Sequence, residues 1–184
     1  MSDIAILNEM IKDSARVPVE LDAFGKTYAT LVEPQDPSSN VTIYGLPADA
    51  VIIKADVFDI RSVFKGTKNE CKRADYVVIA DTGTKKRILY IEMKKNKDLE
   101  WSIIAQLKGA SCFIAYCRDI AKCFWNENTF LNGFEPRFVS FGHTGSIKKQ
   151  KTRIEKPTAC HNTPERMMKI SWPHRPQFNH LAGA

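Results

Sequence analysis

The sequence predicts an α+β or mixed α/β domain, a central mixed sheet flanked by helices. Three observations point there: an amphipathic stretch opens the chain, short β-branched and aromatic runs separated by turn residues follow it, and one long helical stretch precedes further strands. With 184 residues, 43% hydrophobic and 26% charged, the chain suffices for one core, and we expect a single domain over 1–184.

Residues 2–15 begin with Ser2 as a candidate N-cap and repeat Ile4, Leu7, Met10 and Ile11 at helical spacing. From 17 to 53 the runs TYATLVE, VTIYG and AVIIKA read as strands, divided by EPQDPSSN and LPAD. Between 75 and 94, YVVIA and RILYIEM flank Asp81-Thr82-Gly83-Thr84, which has the composition of a hairpin turn. Asp98 is the expected N-cap of a long helix to Phe124, with a bend expected at Gly109. PRFVSFG reads as a strand, 145–166 as a long basic connector and MMKISW as a final strand before a loose tail. The core then spans about 50–142, with 143–184 as connector, last strand and tail.

Charge is distributed unevenly. Residues 1–60 hold 4 Lys and Arg against 10 Asp and Glu, a net of −6, whereas 61–184 hold 23 against 11, a net of +12. The second part should attract polyanions. The five cysteines form no C-x-x-C pair, so reduced thiols are expected. The four histidines form no H-E-x-x-H motif and no G-x-S-x-G is present, which argues against a zinc protease and a serine hydrolase. No uncharged apolar run reaches the roughly 18 residues of a membrane span, and acids near the N-terminus do not suit a secretory signal; the expectation is a cytoplasmic protein without a membrane partner.

Side chains alternate along a strand, so Glu92 and Lys94 project from one face while Met93 points to the other. A hairpin closed at 81–84 brings Asp75 beside them. Two carboxylates and a lysine are a donor set for Mg²⁺, which takes one or two carboxylates plus waters and substrate phosphate. Lys94 can orient or deprotonate an attacking water and counter charge on a phosphate. Acid-x-Lys also occurs at Glu70-Cys71-Lys72, but in a polar stretch. Glu92 ends an apolar strand, where a charge is costly without a purpose.

Asp75 at the head of one strand, a hairpin, Glu92-x-Lys94 on the next, then a long helix and a strand resemble the PD-(D/E)xK nuclease superfamily. That resemblance implies a restriction-endonuclease-like core in which Asp75 and Glu92 bind Mg²⁺, or Mn²⁺ as a substitute, with the carbonyl of Met93 as a further ligand and Lys94 serving the hydrolytic water. It implies phosphodiester hydrolysis, usually of DNA, in roles such as host defence, mobile-element processing or repair. Ala74 stands where the signature proline would be. Glu9 is the candidate for the additional glutamate that many members draw from the leading helix, and Gln106 and Lys108 resemble polar helix residues that some direct at the site. The Q-x-x-x-Y form is absent, because Ala110 occupies the tyrosine position.

The basic residues Lys85, Lys86 and Arg87 after the hairpin turn, and Lys148, Lys149, Lys151 and Arg153 in the connector, are candidate phosphate contacts. Nucleic acid, with DNA foremost, is the expected partner, alongside a protein partner or a second copy of the chain. The alternative is a non-catalytic nucleic-acid-binding or assembly subunit on the same fold.

Overall fold

The computed structural model describes residues 1–33, 36–95, 98–142, 160–171 and 174–183. Nine strands and three α-helices lie among them: α1 (Asp3–Met10), β1 (Arg16–Val17), β2 (Glu20–Leu21), β3 (Thr27–Glu33), β4 (Asp36–Tyr44), β5 (Val51–Lys54), β6 (Tyr76–Asp81), β7 (Lys86–Lys94), α2 (Glu100–Phe124), β8 (Glu135–Gly142), β9 (Met168–Ile170) and α3 (Phe178–Leu181).

A six-stranded mixed sheet in the order β1-β5-β6-β7-β8-β9 forms the centre. From β1 to β7 neighbours run antiparallel, β6 and β7 through a tight turn, and β8 and β9 continue in parallel. A parallel step needs a long crossover, and α2 supplies it between β7 and β8.

Alternation sends Val77, Ile79, Ile88 and Tyr90 to one face, where Leu7 of α1 and Leu107, Ile114 and Cys117 of α2 pack on them. Val78, Ala80, Leu89 and Ile91 face the other way, under a second sheet ordered β2-β3-β4 and under α3. Both faces being covered explains why YVVIA is a continuous apolar run rather than an alternating one.

The structure departs from the sequence reading in five places. Residues 36–40, read as part of a turn segment, already belong to β4, which pairs with β3 from Asp36 onward. The opening helix stops at Met10, and the expected remainder is an extended step at Ile11 and a 3₁₀ turn at Asp13–Ala15, which Arg16 closes by binding Asp13 and Asn8. The N-cap of α2 is Leu99, not Asp98, whose Oδ1 instead accepts the Leu99 N–H at 2.7 Å.

Gly109 marks a close approach rather than a break, because α2 runs through it as one 25-residue helix. A Cβ there would lie 1.8 Å from the carbonyl oxygen of Lys72, so only glycine lets the loop before β6 lie against the helix.

The tail is not loose over its described residues. Thr42 and Tyr44 donate their N–H groups to the carbonyls of His174 and Pro176 at 3.0 Å, and Phe178 and Leu181 are fully buried. The alternation of two apolar residues in FNHL is too short to reveal this from sequence. All five cysteines are free thiols. No helix among the described residues is long and apolar enough to cross a membrane.

Candidate active site

The register Tyr76↔Ile91 between β6 and β7 sets Asp75 across from Glu92 just beyond the last paired residues. Asp75 has the parity of Val77 and Ile79, and Glu92 and Lys94 that of Ile88 and Tyr90, so all three belong to the helix-covered face. The backbone fixes the junction from both sides. The Asp75 carbonyl accepts the Ala55 N–H at 2.8 Å, and its Oδ2 accepts the Met93 N–H at 2.7 Å.

Glu92 is fully buried. The Lys94 ammonium lies 2.7 Å from its Oε1, an ion pair. A charge in the interior is costly, so the group is held far above the usual carboxylate range, first by burial and then by the Asp75 charge, with Lys94 opposing both.

Asp75 keeps a narrow opening to solvent but is pushed up to about 7, mainly by burial; the Met93 N–H and Lys94 oppose this, while Asp56 and Glu33 add to it. Of the two, Glu92 lies deeper.

Burial would lower the Lys94 pKa, but Glu92, Asp75 and Asp98 outweigh it and raise it. Lys94 is therefore a cation in the metal-free site, with a second ion pair to Asp98 at 3.7 Å. It is built to donate and to carry positive charge. That narrows the sequence expectation, which also allowed it to deprotonate water.

A groove of about 490 Å³ opens beside Lys94 at the C-terminal ends of β7, β8 and β9 and the N-terminal turn of α2. Ser140 of β8, opposite Glu92 in register, Gly142 and Lys169 line it. The α2 N-terminus brings the positive end of the helix dipole there, beside the carboxylates of Asp98 and Glu100, the latter paired with Lys169 at 2.7 Å.

Other expected site residues are placed elsewhere or are engaged. Glu9 is not brought to the carboxylates: it accepts the Trp125 Nε1–H at 3.0 Å at the far end of α2, which at 1.5 Å per residue is about 36 Å long. Lys85, Lys86 and Arg87 lie at the opposite end of the hairpin, about 20 Å from Glu92 at the rise of a strand.

Arg87 is buried rather than a surface cation, donating Nε–H to the Ala182 carbonyl at 2.8 Å and pairing with Glu135 at 3.1 Å. Lys86 pairs with Asp81 at 3.4 Å, and Lys85 reaches the Gly183 carbonyl at 3.4 Å. Lys108 pairs with Glu165 at 2.7 Å. Gln106 stays half-buried, with its Oε1 lacking a partner, one turn beyond Ser102 on α2. Met93 turns its side chain into the opposite face and its N–H toward Asp75. Lys148, Lys149, Lys151 and Arg153 lie outside the described residues.

Sequence reasoning missed Asp56, in the 3₁₀ turn that ends β5, whose carboxyl is raised by desolvation and bears on Asp75. The signal was available: an acid two residues after the run VIIK, which forms a strand antiparallel to β6. Asp98 and Ser140 were missed as neighbours of Lys94 because only the crossover and the parallel pairing bring them there.

No group of three or more His, Cys, Asp or Glu among the described residues is placed to hold a metal ion. Two carboxylates opposite each other in register nevertheless fit a hard divalent cation that completes its shell with water and substrate oxygen. No family model matches the chain, and neither does any curated protein or solved structure.

Proposed function

We propose that the chain is a Mg²⁺-dependent nuclease with a restriction-endonuclease-like core that hydrolyses phosphodiester bonds in DNA. The observation that carries this reading is Glu92: a fully buried carboxylate at the end of an apolar strand, opposite Asp75 in register and paired with Lys94. Nothing in the packing of the core calls for it. The alternation of β7 would accept an apolar side chain there.

The element order supports the same reading. A leading helix, an antiparallel run β5-β6-β7 with the acids at the β6–β7 junction, and a helical crossover to a parallel strand agree with the PD-(D/E)xK resemblance.

In this reading Asp75 and Glu92 would hold Mg²⁺, with the Met93 carbonyl as a further ligand. Bound there, the cation would act as Lewis acid on a phosphate oxygen and as a template for the attacking water. Both carboxyls give up protons on binding it, since each is raised in its absence. Lys94 stays protonated, donates toward a nonbridging oxygen and offsets the charge that grows on the phosphate. The α2 N-terminus adds its partial positive charge at the adjoining groove.

The test is incubation of the purified protein with plasmid, linear duplex, single-stranded DNA and RNA, each in Mg²⁺, Mn²⁺ or EDTA, with a thermal-denaturation series in the same cations. Cleavage and a raised melting temperature in Mg²⁺ or Mn²⁺, both absent in EDTA, are expected. Cleavage of no nucleic acid in any cation, with no thermal stabilisation, would overturn the assignment and leave the non-catalytic binding subunit in its place.

A further inference from the structure

The loop that leads into Asp75 builds a second feature. Trp101, at the start of α2, is 55% exposed. The Lys72 ammonium lies 4.5 Å from the centroid of its ring while donating to Ser102 Oγ at 2.9 Å. One face of the indole is thus braced by a cation, and the ring stands out toward solvent.

The brace itself is fixed, because the Lys72 carbonyl sits against Gly109 with no room for a Cβ and Arg73 donates to the carbonyls of Glu70 and Lys72 at 2.8 and 2.6 Å. Such a rigid exposed indole is not explained by core packing. Lys72 precedes Asp75 by three residues, at most about 10 Å of extended chain, so the loop that braces the ring is the one that leads into the carboxylates.

We propose that Trp101, braced by Lys72, is a stacking platform for an unpaired nucleobase, which makes the ligand class single-stranded or frayed nucleic acid. Every base has a π-face suited to an indole, and in an intact duplex those faces are covered by neighbouring bases. Lys72 contributes charge toward the flanking phosphate, and the same loop exposes Lys65 and Lys68. The proposal rests on the nuclease reading only for what happens to the strand once held; stacking needs neither the cation nor cleavage.

The experiment is a titration of the full chain in EDTA with an oligothymidylate and with a blunt duplex of the same length. Indole fluorescence and the labelled strand's anisotropy are followed for the parent, Trp101→Ala and Trp101→Phe, after melting curves confirm that each variant is folded. Stacking is worth about 1–3 kcal/mol per base, so Trp101→Ala is expected to weaken oligothymidylate binding about five-fold to 150-fold and duplex binding by less than about two-fold. Trp101→Phe keeps part of the preference and loses the fluorescence quench.

Equal losses for both ligands, no loss for the single strand, or no quench in the parent would overturn the platform. The two readings fail separately. Asp75→Ala that no longer cleaves yet shows the parent's quench upholds both, a parent that quenches but never cleaves upholds the platform alone, and cleavage without any single-strand preference upholds the nuclease alone.

Discussion

The two ends of the β6–β7 hairpin carry charges that look alike in the sequence and differ in the structure. At the turn end each candidate cation has a partner: Lys86 has Asp81, Arg87 has Glu135 and the Ala182 carbonyl, and Lys85 has the Gly183 carbonyl. At the far end two carboxyls share one lysine: Glu92 is buried and paired with Lys94, and Asp75 is pushed up to about 7. Satisfied charges hold a fold together. Two desolvated acids side by side are a cost that persists where a ligand removes it.

The largest effect expected from this contrast is on cleavage. Asp75→Ala or Glu92→Ala removes a ligand of the cation and should take cleavage below detection while oligonucleotide binding in EDTA survives, as measured by parallel cleavage and anisotropy assays. Lys94→Ala should keep the thermal stabilisation by Mg²⁺ and lower the cleavage rate by roughly 10²-fold, the scale of a lost charge-stabilising donor.

Next in size is the pH dependence of stability without metal. With a folded pKa of about 7 against an ordinary 3.8, Asp75 binds more protons folded than unfolded. Its contribution is fully present below the unfolded value and is lost as pH rises through about 7, so the metal-free protein becomes less stable toward alkaline pH. Glu92 is shifted in the same direction by burial and adds to the slope. Asp75→Asn should flatten that slope and stabilise the metal-free protein at pH 8 by about 2 kcal/mol or more, on the scale of 1.36 kcal/mol per pKa unit. Denaturant melts from pH 5 to 9 in EDTA decide it, and a parent stability that rises with pH over this window would remove the claim that the acids are desolvated.

At the turn end the order reverses. Arg87→Ala should cost about 2 kcal/mol of stability by leaving the Ala182 carbonyl and Glu135 without their donor, with no change in cleavage rate for the folded fraction. The smallest effect belongs to Lys95, which pairs with Asp36 at 2.5 Å and is half exposed. Lys95→Ala should alter cleavage by less than about two-fold, a value typical of exposed ion pairs; a loss as large as that of Lys94→Ala would mean that general positive charge, not the position of Lys94, matters.

Alternation and turn composition by themselves determined that 76–94 is a hairpin, that Glu92 and Lys94 share a face and that Asp75 meets them, because a strand's period and an antiparallel register are local geometry. Helical spacing likewise determined α2 to within two residues at its start. Partnership was decided only by the tertiary structure. Whether Arg87 was free or buried depended on a C-terminal segment 95 residues away, and Glu9 ended beside Trp125 because of how α1 packs, not where it lies in the chain. Ser140 and Asp98 reached Lys94 through a parallel crossover, and Lys72 reached Trp101 through the close approach at Gly109. Contacts of that kind join residues distant in sequence, and no local periodicity carries their signal.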